Sequence, residues 1–273
     1  MADWTLVVSR EEVARAPADH AFGVPHPRLA GHVLTYAAHD FPEMEPMAWR
    51  VAPLGVLTVV LDLETPLRKV GEDGHVPASP VLGLRDRPLL VEQAGPSRGI
   101  SVAMTPLGAY ALFGLPLREL ANATIGLPDL LGAEAGLLLE KLAETRGWPA
   151  RFRVLDDYLT TRLALGPELA RPVQGAWQQL MTSAGSLRIS ALADQIGWTR
   201  QHLNLRFQRQ IGLTPKTVAR IARLHRAATL LAGPDAPSLS EIAHRCGYAD
   251  QPHLNRDFRA LTGCTPTEYL TNA

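Results

Sequence analysis

The sequence predicts two domains. The first is an N-terminal α+β domain, a small β-barrel-like region followed by helices. The second is an all-α C-terminal domain of two helix-turn-helix units joined by a linker helix. Three observations carry this reading. Between residues 29 and 105, short apolar segments alternate with Gly, Pro and Asp clusters. From residue 106 to 183, leucines recur at three- and four-residue spacing. From Ser186 to Leu270, one unit occurs twice. The expected boundaries are 1–185 and 186–273.

In chain order, Glu11 to Arg15 is a candidate short helix in an otherwise irregular, Pro-punctuated start. Strands are expected at His32–Ala37, Ala48–Ala52, Val56–Leu61, Val81–Leu84, Leu89–Gln93 and Gly99–Met104. Gly71-Glu-Asp-Gly74 reads as a hairpin turn, because it lacks the alternating oxygen ligands of a calcium loop. Helices are expected at Pro106–Phe113, Pro116–Asn122, Leu127–Thr145, Trp148–Leu165 and Pro167–Ser183. Gly114, Gly126, Gly147 and Gly166 punctuate them. Ala184-Gly-Ser186 marks the passage to the second domain.

The repeat is explicit. Ser190-Ala-Leu-Ala193, Gly197, His202-Leu-Asn204, Phe207 and Gly212-Leu-Thr-Pro215 return as Ser240-Glu-Ile-Ala243, Gly247, His253-Leu-Asn255, Phe258 and Gly263-Cys-Thr-Pro266. The offset is 50 residues before the turn and 51 after it, so Asp250-Gln251-Pro252 contains one insertion. In each copy an apolar face (Leu192, Ala193 and Ile196; Ile242, Ala243 and Cys246) precedes a Gly where a left-handed cap would stop a helix. A second helix then carries Leu203 and Phe207, or Leu254 and Phe258, inward at i,i+4 spacing. Thr199 is the expected N-cap of the first of these. Ser238 with Glu241, and Thr265 with Glu268, fit capping boxes. Between the copies, Pro215 to Leu231 forms a linker helix of roughly 25 Å at about 1.5 Å per residue. Its outward candidates are Arg220, Arg223 and Arg226.

The outward faces of the two second helices are polar. They hold Thr199, Arg200, Gln201, Asn204, Arg206 and Gln208 in the first copy, and Gln251, His253, Asn255, Arg256 and Arg259 in the second. Arg can fork onto guanine, and Asn or Gln onto adenine, while other members of such a face hold phosphates. These eleven residues are the candidate DNA-binding set.

Ser186 to Leu270 resembles the DNA-binding domain of the AraC/XylS family of bacterial transcription regulators. The resemblance is densest from Ile242 to Tyr269. Pro252 and Leu254 stand where many members carry Ser and an aromatic residue. The segment Met104 to Gly114, with Leu117 to Asn122 and Leu127 to Gly132, is similar to the N-terminal domain of one AraC-type subfamily. The resemblance implies that two recognition helices enter successive major grooves. It also implies that the N-terminal domain senses an effector or dimerises. The expected partner is double-stranded DNA, with a small-molecule effector, RNA polymerase and a second copy of the chain as further candidates.

Composition narrows the alternatives. The net charge of zero divides into eleven Lys+Arg against six Asp+Glu from Ser186 onward, and sixteen against twenty-one before it. A basic C-terminal part fits phosphate contact. No apolar run approaches the roughly 20 residues that cross a membrane, and the start lacks the pattern of a secretory signal, so a cytoplasmic protein is expected. Cys246 and Cys264 align with Ile196 and Leu213 of the first copy, which makes them small buried hydrophobes. Residues 1–185 contain no Cys and therefore no cysteine nucleophile.

His20, His26, His32 and His39, with Asp40, Glu43 and Glu45, match no ligand spacing and are expected as solvated loop residues. No phosphate-binding, dinucleotide or nucleophile-elbow motif occurs. No catalytic residue, metal or cofactor is therefore expected, and no membrane partner. Two other readings stay open: an enzyme in residues 1–165 fused to a DNA-binding module, and an N-terminal protein-interaction domain without a ligand.

Overall fold

In the computed structural model, residues 19–42, 46–53, 55–64, 67–70, 74–233 and 235–271 are described. The candidate helix at Glu11 to Arg15 and the carboxylates Glu43 and Glu45 lie outside them. Alternating burial along Val33–Phe41, Leu57–Glu64 and Ser97–Met104 makes these segments half-buried strands. They form the centre of a six-stranded antiparallel sheet. With β1 (Asp19–Gly23), β2 (Val33–Phe41), β3 (Met47–Val51), β4 (Leu57–Glu64), β5 (Leu67–Val70), β6 (Gly74–His75), β7 (Pro80–Leu82), β8 (Leu89–Ala94), β9 (Ser97–Met104) and β10 (Thr124–Gly126), its order is β1-β2-β9-β4-β7-β10. A second antiparallel sheet runs β3-β8-β5-β6.

The expected β-rich region is present, as two sheets and not as a closed barrel. The larger sheet ends in free edges at β1 and β10, so it does not close on itself. Consecutive strands β4 and β5, like β8 and β9, pass from one sheet to the other instead of pairing. A buried ion pair bridges the two sheets. Arg68 of β5 donates from Nη1 and Nη2 to both oxygens of Asp62 of β4 at 2.8 and 2.9 Å. The Ser79 amide donates to the same carboxylate at 2.6 Å, and Arg68 Nε donates to Gln93 of β8 at 3.1 Å. Full pairing is what makes burying these charges tolerable. β5 and β6 pair antiparallel, Lys69 with His75 and Val70 with Gly74, and the expected turn residues Gly71, Glu72 and Asp73 lie outside the described residues.

Helices then cover the large sheet. Thr105 caps α1 (Pro106–Phe113) by accepting from the Gly108 amide, and Gly114 at φ 68° ends it. The expected helix Pro116–Asn122 is only a 3-10 turn, Leu117–Glu119. Asn122 takes φ 58° and hydrogen-bonds to the Leu84 carbonyl at 2.8 Å, which turns the chain into β10. The expected helix 127–145 breaks at Gly132 into α2 (Leu127–Leu131) and α3 (Ala133–Glu144), because Gly132 adopts φ 59°, ψ −140°. α4 (Trp148–Leu165) has its expected bounds, whereas α5 (Arg171–Thr182) starts later than Pro167. Tyr36 of β2 stacks on Phe152 of α4 and donates to Asp156 at 3.0 Å, which fixes α4 to the sheet.

Six further helices follow: α6 (Ile189–Gln195), α7 (Arg200–Ile211), α8 (Pro215–Leu231), α9 (Leu239–Arg245), α10 (Gln251–Thr262) and α11 (Pro266–Thr271). Two main apolar cores result. One joins the large sheet to α3 and α4 through Tyr36, Ile100, Leu138 and Leu155. The other runs without interruption from Leu107, Ala109, Leu117 and Leu120, through Val173 and Leu180 of α5, into Leu203, Phe207, Leu224 and Phe258. Helix α1 belongs to both, since its Leu112 lies in the first core and its Leu107 and Ala109 in the second.

Candidate nucleic-acid interface

The two copies in the sequence become two copies of one local geometry. After α6, Gly197 takes φ 70° and the Trp198 amide donates back to the Ala193 carbonyl at 3.0 Å. After α9, Gly247 takes φ 75° and the Tyr248 amide donates to Ala243 at 2.9 Å. Both are left-handed helix stops in which the second amide closes a wide ring over the last turn. An N-cap then starts each second helix. Thr199 Oγ1 accepts from the His202 amide at 3.1 Å, and Asp250 Oδ1 from the His253 amide at 2.7 Å. Edge-on aromatic contacts fix the two turns alike, Trp198 against His202 at 4.5 Å and Tyr248 against His253 at 5.2 Å.

The helices also end alike, at Gly212 (φ 100°) and Gly263 (φ 78°). Thr214 and Thr265 then cap α8 and α11. The capping box at Thr265 is reciprocal: its amide donates to Glu268 at 2.7 Å, and these hydrogen bonds hold the Glu268 carboxyl below its usual range. At Ser238 the hydroxyl accepts from the Glu241 amide, while the Glu241 carboxylate pairs with Arg245.

On α7 and α10, Leu203 and Phe207, and Leu254 and Phe258, are fully buried. Arg200, Gln201, Asn204, Arg256 and Arg259 are exposed, and Arg206, Gln208, Gln251 and Asn255 are half-buried. Thr199 is exposed but its hydroxyl oxygen is engaged as the cap. His253 is half-buried and its Nδ1 faces the Ala249 amide at 3.4 Å, so it braces its own turn. Asn204 donates to Gln208 at 3.4 Å, and Arg259 lies 3.7 Å from Glu268.

At about 100° per residue, the direction opposite the buried row of α7 is occupied by Leu205, with Gln201 and Arg209 beside it. Both Leu205 and Arg209 are exposed and absent from the eleven candidates. A wheel drawn from Leu203 and Phe207 would have found them, had an apolar residue been allowed on a reading face.

The linker helix is tied to the second unit. Arg220 Nη2 and Nε donate to Asp257 of α10 at 2.8 and 3.1 Å, and the Arg223 guanidinium lies 5.3 Å over the Tyr248 ring. Two of the three arginines expected outward on α8 therefore serve packing, and Arg226 alone is exposed. Cys246 is buried, with its thiol pushed up by desolvation, and Cys264 is half-buried; both are free.

The N-terminal part packs on the back of this face. The Ala170 amide donates to Gln210 of α7 at 3.3 Å. A Cβ on Gly212 would stand 2.9 Å from the Leu117 carbonyl oxygen, so the 3-10 turn lies directly against the end of α7. Ala52 and Pro53 face Leu224, Ala228, Phe258 and Tyr269 across a narrow recess. A second recess, among Val59, Val102, Leu112, Leu127, Leu138 and Leu155, has room only for a water-sized group.

The histidine–carboxylate cluster does not assemble as loop residues, which corrects that expectation for three members, His20 on β1 and His39 and Asp40 on β2. His20 and His39 pair across β1 and β2. His39 Nε2 lies 2.9 Å from Ser97 Oγ, and burial with the nearby Arg68 cation lowers its pKa to about 4. Among the described residues no group of three or more His, Cys, Asp or Glu could hold a metal ion. No described helix is long and apolar enough to cross a membrane.

Residues 192–272 match the model of a family described as a helix-turn-helix domain, and residues 23–126 match a domain of unknown function, DUF6597. Over 85 residues the chain is 33% identical to the HTH-type transcriptional activator RhaS of Escherichia coli, covering 31% of this chain and 30% of that protein. The chain thus spans under a third of the curated relatives it matches. The C-terminal domain of AraT, a response regulator from Geobacillus stearothermophilus, aligns at 23% identity over 39% of this chain and 89% of its own, with a TM-score of 0.37. Unsaturated fatty acid-bound ToxT from Vibrio cholerae aligns at 10% identity over 88% and 95%, with a TM-score of 0.48. Residues 192–272 thus match a helix-turn-helix domain.

Proposed function

We propose that the chain is a sequence-specific transcription regulator in which residues 186–273 hold duplex DNA and residues 1–185 set how well they do so. One observation carries it: α7 and α10 repeat the same stop, cap, buried pair and exposed polar face. A single such helix is an ordinary protein surface, whereas two joined by one rigid linker helix form a device for two successive major grooves. RhaS, to which 85 residues of the chain are 33% identical, is named as a transcriptional activator.

In this reading Gln201, Asn204 and Arg256 read bases. Arg200, Arg206, Gln208, Gln251, Asn255 and Arg259 hold phosphates or flank the groove, and Thr199 and His253 set the geometry of the turns. An effector would act through α1, whose Leu112 lines the recess of the first core while Leu107 and Ala109 pack in the core beneath α7. The recess is too small as it stands, so a ligand would have to part α1 from α2–α4. A second copy of the chain and RNA polymerase are the other partners of the proposal.

The test is selection of duplexes from random DNA by the full chain at fixed salt. An enriched site with two blocks about one helical turn apart supports the reading, and Asn204→Ala or Arg256→Ala should then relax one block each. Binding that depends on salt but enriches no sequence refutes it.

A further inference from the structure

The two recognition helices share a frame but present different chemistry along it. With the offset of 51, Gln201, Leu205 and Gln208 of α7 coincide with Pro252, Arg256 and Arg259 of α10. Leu205 and Arg256 lie opposite the buried rows of their helices. Leu205 is 61% exposed and belongs to none of the apolar clusters among the described residues. A large aliphatic side chain held in water, at the centre of a face otherwise made of amides and cations, is the feature the regulator reading leaves unexplained. Its counterpart, Arg256, is exposed and has no partner among the described residues.

We propose that Leu205 reads a thymine C5-methyl and Arg256 a guanine, so that the operator is asymmetric, with an A·T-reading block under α7 and a G·C-reading block under α10. The assignment rests on the DNA-regulator reading above and deepens it. The thymine methyl is the one apolar group on a base edge in the major groove, and it is recognised by apolar contact; guanine N7 and O6 suit a guanidinium fork. Gln201 strengthens the first block, because a side-chain amide fits adenine N6 and N7. It is exposed one turn before Leu205. Gln208, one turn after, has its Oε1 engaged by Asn204. In the second block Arg259 is shared with Glu268, which leaves Arg256 as the guanine reader.

The experiment selects from random duplex DNA with the full chain as wild type, Leu205→Ala, Leu205→Arg and Arg256→Leu. Both positions are exposed, so the fold does not depend on them, and circular dichroism checks this. The wild type should enrich one block containing an essential thymine and another containing a guanine. Replacing that thymine by uracil removes only the methyl group. It should weaken the wild type about fourfold, the worth of one buried methyl-sized group, and leave Leu205→Ala unchanged. Leu205→Arg should bring guanine into the first block, and Arg256→Leu should lose guanine from the second by about tenfold.

An enriched two-block site at which every thymine-to-uracil change is neutral overturns the assignment while leaving the regulator reading intact. So does a Leu205→Ala protein that selects the same bases with the same preference. A wild type that enriches nothing overturns the regulator reading, and this one with it.

Discussion

Removing one carboxylate should separate the two halves of the DNA-binding face. Asp257 lies on α10 but points at the linker helix, where it accepts from Arg220 at 2.8, 3.1 and 3.3 Å. The side chains are 13% and 30% exposed, so the pair is neither a surface contact nor a fully buried one. Exposed pairs contribute about 0.2–1 kcal/mol, whereas hydrogen bonds to charged groups contribute about 1.5–3 kcal/mol. A coupling of about 1–2 kcal/mol between Arg220 and Asp257 is therefore expected.

The assay is a double-mutant cycle of Arg220→Ala and Asp257→Ala by urea denaturation. Each single change should lower stability, and the double change should cost less than the sum of the two. In the same proteins the contribution of the second DNA block should fall while that of the first stays, because Arg220 orients α10 and leaves α7 alone. A coupling indistinguishable from zero would refute the claim that this pair holds α10 on the linker. Equal loss at both blocks would refute the claim that it acts on α10 alone.

Three further outcomes follow from the same geometry. Leu117→Ala should cost about 2–4 kcal/mol in urea unfolding, since Leu117 is fully buried where the N-terminal part meets the end of α7; a loss below about 1 kcal/mol would show that the junction carries little packing. Asp250→Ala should cost about 1 kcal/mol by deleting the cap of α10, and Thr199→Ser should keep both stability and DNA affinity if the cap is the role of Thr199. His39 makes stability depend on pH. Its folded pKa, about 4, lies below the unfolded value of 6.5, so between these the unfolded chain binds the extra proton. Stability should therefore rise with pH from about 4 to 6.5, by ~3 kcal/mol at most, and His39→Gln should flatten that slope.

What the sequence made legible follows from the range of the interactions involved. The stops at Gly197 and Gly247, the caps at Thr199 and Thr265, and the inward pairs Leu203–Phe207 and Leu254–Phe258 are decided within one or two turns of chain. All of them could be read by inspection. Within the N-terminal half the same holds for α1 and α4. The misread elements were those decided at a distance. Asn122 takes a left-handed backbone and bonds to Leu84, so the segment after Pro116 becomes an anchor and a strand instead of a helix. β1, which looks like irregular chain, is a strand because β2 offers it an edge. His39 reads as a loop residue until Ser97 and Arg68 are brought beside it from 58 and 29 positions away.

The candidate site shows the same division. Which side chains point away from the core of α7 and α10 is a matter of helical period. What those side chains are free to do is a matter of neighbours distant in sequence. Arg220 and Arg223 have the charge and the spacing of phosphate contacts, but Asp257 and Tyr248 claim them. Leu205 has the character of a core residue, yet it is exposed. A reading face is thus defined by subtraction: of the polar and apolar residues that a helix turns outward, those not taken up by the protein itself are left for DNA. By that criterion Gln201, Leu205 and Arg256 are better candidates than His253, whose ring is spent on Tyr248 and the Ala249 amide.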